Sequence, residues 1–161
     1  MQIALVSDTH GRIDRLEILL ENLQKNNINT VIHAGDMAVY GVEKIFEKFE
    51  KINFYIAQGN CDVNFEIINA IKKLPNCVIQ EVIYEKFCDV NIGVSHIPGI
   101  AQKKLSEKKV DIFCHGHTHR EQMEKINNSF ILNPGALCED GNFFVIDLPK
   151  INVLRKNIFF N

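Results

Sequence analysis

A chain of 161 residues with 46% hydrophobic and 24% charged residues has enough apolar material for a buried core without staples. A formal charge of −2 and a pI near 6.3 exclude an electrostatic footprint for nucleic acid or for a membrane surface. The five cysteines are odd in number, scattered and without CxxC spacing, which excludes a disulfide framework and a cysteine zinc site and points to a reducing cytoplasm.

The N-terminal run Met1–Val6 lacks a basic region and breaks at Ser7-Asp8, too soon for a signal sequence, and no apolar run approaches the ~20 residues of a membrane span. With no repeat and no Pro/Gly/Ser-rich linker, residues 1–161 read as a single domain. Residues 2–6 have the pattern of a buried strand. Asp14 and Glu17 suggest a capping box, followed by Leu16, Leu19, Leu20 and Leu23 on one face of a helix reaching Asn26. A strand over 30–33 and a helix over 42–51 follow, then a strand over 53–57 and helical residues 64–73.

Strand–helix–strand–helix–strand predicts parallel pairing with helices on the faces. Beyond it, 77–84 and 89–95 read as neighbouring antiparallel strands, 101–109 as a short helix and 110–114 as a strand. Further strands are predicted over 130–133, 143–148 and 151–160. The fold class expected is α/β: two packed mixed β-sheets, a β-sandwich, flanked by helices.

Each of five strands ends on metal-capable residues: Asp8 and His10, Asp36, Asn60, His96, and the run His115-Gly116-His117-Thr118-His119. Ligands of open α/β sheets collect beyond the carboxyl ends of strands. Singly, Asp8, Asp36 or Asn60 would read as a turn or cap residue, and His10 or His96 as a surface or core histidine. Together, beside Gly11, Gly35, Gly59 and Gly116, they make a donor set able to hold two divalent ions, with Asp36 as the shared carboxylate.

The ordered motifs Asp8-Thr9-His10, Gly35-Asp36, Gly59-Asn60-Cys61-Asp62, His96, Gly116-His117-Thr118-His119 and Asn133-Pro134-Gly135 resemble those of the calcineurin-like metallophosphoesterases, more closely the small YfcE-type phosphodiesterases. The resemblance runs from Met1 to about Gly135. It implies a metallophosphoesterase-like sandwich with one ion on Asp8, His10 and His119, another on Asn60, His96 and His117, and Asp36 between them. A water or hydroxide bridging the ions would attack phosphorus in line with the leaving oxygen. The catalytic set implied is Asp36, Asn60, Cys61 and His96, and the substrate a small phosphoester. Manganese is the first expectation for the ions, with iron, nickel, cobalt or zinc as alternatives.

Two departures stand out. Cys61 occupies a position where many members carry a histidine that assists the leaving group, and a neutral thiol is a poorer proton donor, which favours diesters over alkyl monoesters. Ile97-Pro98 follows the ligand histidine where relatives often have Gly-His. Arg12 and Arg120 each follow a metal motif as candidates to steer phosphate, while His33 and His115 read as structural.

The pocket walls are assigned to loops 37–41, 62–70 and 97–102, with Phe65, Ile67 and Ile68 as packing residues. The competing readings are a protein-binding scaffold of the same fold, as in the retromer subunit that resembles these enzymes, and a mononuclear iron oxygenase on Asp8, His10 and His119. The second leaves four candidate ligands without a role. Self-association through the strands after Ala136 stays open.

Overall fold

The computed structural model describes residues 1–37 and 40–159. Its first half alternates β1 (Gln2–Val6), α1 (Ile13–Lys25), β2 (Thr30–His33), α2 (Val42–Lys48), β3 (Asn53–Ala57), α3 (Phe65–Lys72) and β4 (Cys77–Gln80). The second half contains β5 (Val82–Phe87), β6 (Val90–Ser95), α4 (Ile100–Lys104), β7 (Ile112–Cys114), β8 (Gln122–Ile126), β9 (Ser129–Asn133), β10 (Asn142–Asp147) and β11 (Asn152–Asn157).

Two mixed sheets result, one ordered β11-β10-β1-β2-β3-β4 and the other β5-β6-β7-β9-β8. In the first, β1, β2, β3 and β4 run parallel, with Leu5 beside Ile32 and Ile32 beside Tyr55, while β10 pairs antiparallel to β1. Alternation along β1 explains the layers. Ile3 and Leu5 point into the sandwich with Ile32, Phe144, Ile92 and Leu132, whereas Ala4 and Val6 face Leu16, Leu20 and Phe46 of the helices.

Both faces of the parallel strands are therefore covered, which is why β1 and β2 read as nearly unbroken apolar runs. Because β1, β2, β3, β6 and β7 all deliver their carboxyl ends to one edge of the sandwich, the polar residues after them meet there.

Local differences from the sequence expectation have identifiable causes. Residues 77–84 are two strands rather than one: β4 joins the first sheet beside β3, Glu81 breaks the run, and β5 crosses to the second sheet beside β6. A single apolar run cannot announce that its two ends belong to opposite layers. Strand β8 was not predicted because Gln-Met-Glu-Lys-Ile is mostly exposed and polar, and it forms only by pairing with β9.

Helix α1 starts at Ile13 after Arg12, without a side-chain cap. Asp14 lies inside its first turn and receives the Arg12 guanidinium through two bonds of 2.9 and 2.7 Å instead of forming a capping box. Helices α2 and α4 end early, at Lys48 and Lys104. Strand β11 stops at Asn157, and the predicted Phe160 lies outside the described residues, as do positions 38 and 39 of loop 37–41. No described helix is long and apolar enough to cross a membrane.

Candidate metal centre

At the edge where the strands end, the backbone takes conformations that side-chain-bearing residues rarely adopt. Asp8, His10, Asp36, His117 and His119 all have positive φ, from 40° at His10 to 67° at His117. Non-glycine residues in this region carry a conformational cost that persists where surrounding structure overrides it, and such positions cluster at functional sites. Five of the seven predicted ligands carry this strain.

The override comes from a hydrogen-bonded frame. Asp8 N–H donates to the Gly35 carbonyl (3.0 Å) and His10 N–H to the Asp36 carbonyl (2.9 Å), so the first turn is tied to the second. Asp62 ties the second to the third: its buried carboxylate accepts the amides of Asp36 (2.9 Å), Met37 (2.9 Å) and Gly59 (2.8 Å). The last turn is held by Asn133, whose amide donates to the Gly116 carbonyl (3.0 Å) and the Thr118 hydroxyl (3.0 Å) while its oxygen accepts Gly135 N–H (2.9 Å).

Glycines appear where backbone meets a carboxylate. A Cβ on Gly116 would collide with the Ser7 hydroxyl and lie 2.6 Å from Asp8 Oδ2, and one on Gly59 would collide with the Asp36 carboxylate. Space, not turn geometry, selects these two glycines, since neither has positive φ. The left-handed conformations of the last turn fall on His117 and His119 rather than on Gly116.

Within this frame the structure gathers two overlapping groups. In the outer one, His10 Nε2 is 3.1 Å from His119 Nε2, 3.7 Å from Asp8 Oδ1 and 3.7 Å from Asp36 Oδ2, and His119 Nε2 is 3.4 Å from Asp8 Oδ1. Donors around one ion with bonds of about 2.1 Å stand roughly 3.0–3.4 Å apart, so this spacing suits a shared cation.

In the inner group, Asp36 Oδ2 faces His96 Nε2 at 3.2 Å, and ligand atoms of Asp8, Asp36 and His96 lie within 4.8 Å of one another. Asp36 thus turns one oxygen toward both histidines, while Oδ1 accepts the Cys61 amide at 2.8 Å. Its carboxyl is held well below the usual carboxylate range: burial opposes this, but His96 and the Cys61 amide outweigh it.

His96 is the most constrained of the seven. Its Nδ1 lies 2.8 Å from the Ala34 carbonyl, so Nδ1 carries the donated hydrogen and Nε2 faces the site. That buried Nε2 has no hydrogen-bond partner, and the nearest Asp36 oxygen is an acceptor. Burial alone would lower the pKa of this imidazole, yet the Asp36 carboxylate and the Ala34 carbonyl raise it above the ordinary value. The juxtaposition favours a positive charge at this spot, whether a proton on His96 or a cation held by the donor set.

His117 joins through its backbone, which donates to Asp8 Oδ2 at 3.1 Å, and its ring stands edge-on to that of His96 at 5.2 Å. Asn60 is exposed beside Cys61, its amide 3.4 Å from Sγ. Cys61 Sγ lies in a group with His10 and Asp36. Its thiol pKa is raised by partial burial and by Asp36, so it stays protonated at neutral pH.

Arg12 is occupied by Asp14, and Arg120 is exposed. His33 and His115 lie outside the clusters: His33 Nε2 meets the Thr9 hydroxyl at 2.7 Å, and His115 Nε2 meets Gln122 Oε1 at 2.8 Å. Two supporting residues were given no role by sequence reasoning. Asp62 stood in view two positions after Asn60, whereas Glu139, whose Oε1 is 2.6 Å from His119 Nδ1, sits in a turn 20 positions away with no signal of its own.

Residues 1–147 match the calcineurin-like phosphoesterase superfamily domain. A phosphodiesterase of Methanocaldococcus jannaschii is 26% identical over 96% of this chain and 92% of its own length. The fold is shared with YfcE, a phosphoesterase from E. coli, at a TM-score of 0.72 and 18% identity over 98% of this chain and all of that one. It is also shared with Vacuolar Protein Sorting 29 from Cryptosporidium parvum, at 0.66 and 20% over 96% of each chain.

Proposed function

The chain belongs to the calcineurin-like phosphoesterase superfamily, and from that premise we propose that it is a dinuclear phosphodiesterase dependent on divalent metal ions. Asp8, His10 and His119 would hold one ion, Asn60, His96 and His117 the other, and Asp36 would bridge them. The observation that carries this reading is the buried His96 Nε2, which has no hydrogen-bond partner and lies 3.2 Å from Asp36 Oδ2. Manganese is the first choice, with iron, nickel, cobalt or zinc taken according to availability.

When bound, the ions supply an acidified water as nucleophile for in-line attack on phosphorus and offset the charge of its non-bridging oxygens. The protein does the positioning. The Cys61 amide and the Asp62-anchored backbone fix Asp36, the Ala34 carbonyl fixes the tautomer of His96, and Glu139 orients His119.

Cys61 offers a protonated but uncharged thiol beside the reacting centre, a weak proton donor with no imidazolium charge. Esters with stable leaving groups, diesters above alkyl monoesters, suit it best. The substrate is then a small phosphoester, and the protein works in the cytoplasm.

The test is hydrolysis of bis(4-nitrophenyl) phosphate by protein stripped with chelator and reloaded with manganese, alongside Asp36→Asn. Activity should appear only on reloading and vanish in the variant, and turnover indifferent to both overturns the reading. The likeness to Vacuolar Protein Sorting 29 favours a second reading, a binding scaffold of this fold. It would show no turnover with any of the five metals.

A further inference from the structure

Beside Cys61, away from His96, the surface opens into a cavity of about 190 Å³ between the loop after β2 and helix α3. Its walls are mainly aliphatic, from Met37, Val42, Val63, Ile67, Ile68 and Ile71, and the Asn64 side-chain oxygen beside them is engaged by the Glu66 and Ile67 amides. Tyr40, 69% exposed, stands at its rim. Among the described residues no lysine, arginine or histidine lines it, and one carboxylate does, that of Asp62, which is directed at the amides of Asp36, Met37 and Gly59.

Cys61 belongs to this wall and also to the cluster with His10 and Asp36, whose ligand atoms lie within 4.8 Å of Sγ. Cys61 is therefore shared between the cavity and the candidate metal centre.

Resting on the phosphoesterase reading, we propose that this cavity is the subsite for one organic substituent of the phosphoester, and that it selects an uncharged, apolar group of about the size of a single ring. Three features set that class. The volume is enough to take one ring. The aliphatic walls gain from burying apolar surface and offer little to a polyhydroxylated sugar. A wall with a carboxylate and no cation disfavours a second phosphate, so a substrate bearing a further phosphate on that arm is rejected.

The experiment compares phenylphosphonate with methylphosphonate, two non-hydrolysable probes that differ only in the group offered to the cavity. Calorimetric titration of the manganese-loaded protein should show the phenyl compound binding at least about tenfold more tightly. Ile67→Phe, which fills the cavity, should bring the ratio toward one. Val63→Ser, at a position 72% exposed, should reduce the ratio and keeps the test open if the first variant does not fold.

Equal affinities in the parent protein, or a preference untouched by both variants, overturn the proposal. If neither phosphonate binds the loaded protein, the metal-centre reading has failed. The cavity is then judged alone by phenol added to metal-free protein. Methyl NMR shifts at Ile67, Ile68 and Ile71 support it, and unshifted signals overturn it.

Discussion

At the outer half of the centre, His10 and His119 leave 30% and 32% of their side chains in solvent, whereas at the inner half His96 and Asp36 leave 1% and 3%. The two halves share the Asp36 carboxylate but not its surroundings. Water screens the outer donors, and one of them is oriented by Glu139, which is itself 55% exposed. Within the inner set His96 and Asp36 sit in a low-dielectric pocket where an uncompensated charge is costly, while Asn60 and His117 reach that set from the exposed side. The comparison teaches that donors gathered around one shared carboxylate can stand in very different dielectric surroundings. On the proposed dinuclear reading, the inner half would anchor its ion and the outer half would exchange with solvent and substrate.

The strongest way to break this comparison is to remove what the halves share. Asp36→Asn should lower turnover of an aryl phosphodiester by about a thousandfold, further than His96→Gln or His10→Gln, each of which disturbs one half. Steady-state rates of the three variants decide it, and equal losses would deny Asp36 its bridging place.

Acid should act through the buried frame behind the centre. Burial pushes the His33 imidazole down to about 4, from an ordinary value of 6.5. Between those values the unfolded chain takes up a proton that the folded one refuses, so this contribution to stability is complete above pH 6.5 and is lost as pH falls toward 4. The loss reaches up to about 3 kcal/mol. Urea unfolding of metal-free protein at pH 7 and pH 4.5 should show a steeper acid loss than in His33→Gln.

Smaller effects separate the halves. Gly59→Ala presses on Asp36 and Gly116→Ala on Asp8, and each should cost about 1–3 kcal/mol by overpacking, read as a lower melting temperature. Chelator titration followed by elemental analysis should remove two ions in two steps, the outer first. Glu139→Gln should weaken only that first step, by about tenfold, and a shift in both steps would erase the distinction between the halves.

Much of the architecture was legible from local pattern. The apolar runs at 2–6, 30–33 and 53–57 are strands, and the leucines of α1 face inward as their spacing predicts. Strand β8 and the break at Glu81 were not legible, because one exists through pairing and the other through a change of layer. Of the candidate site, Asp8, His10, Asp36, His96, His117 and His119 could be named from their places after strands, and Asn60 with them. The frame that holds them could not, since Asn133 and Glu139 act across 17 and 20 residues on partners the chain does not place beside them.

By itself the sequence determined the kind of chemistry available: carboxylates, imidazoles and one amide following apolar runs whose length and alternation dictate strands. Tertiary structure alone decided which donors are wet and which are dry, which oxygen of Asp36 is free, and that an aliphatic cavity opens beside Cys61. The reason is physical. Strand formation and donor type follow from residues near in the chain, while burial, electrostatic environment and cavity shape arise only when distant segments close on one another.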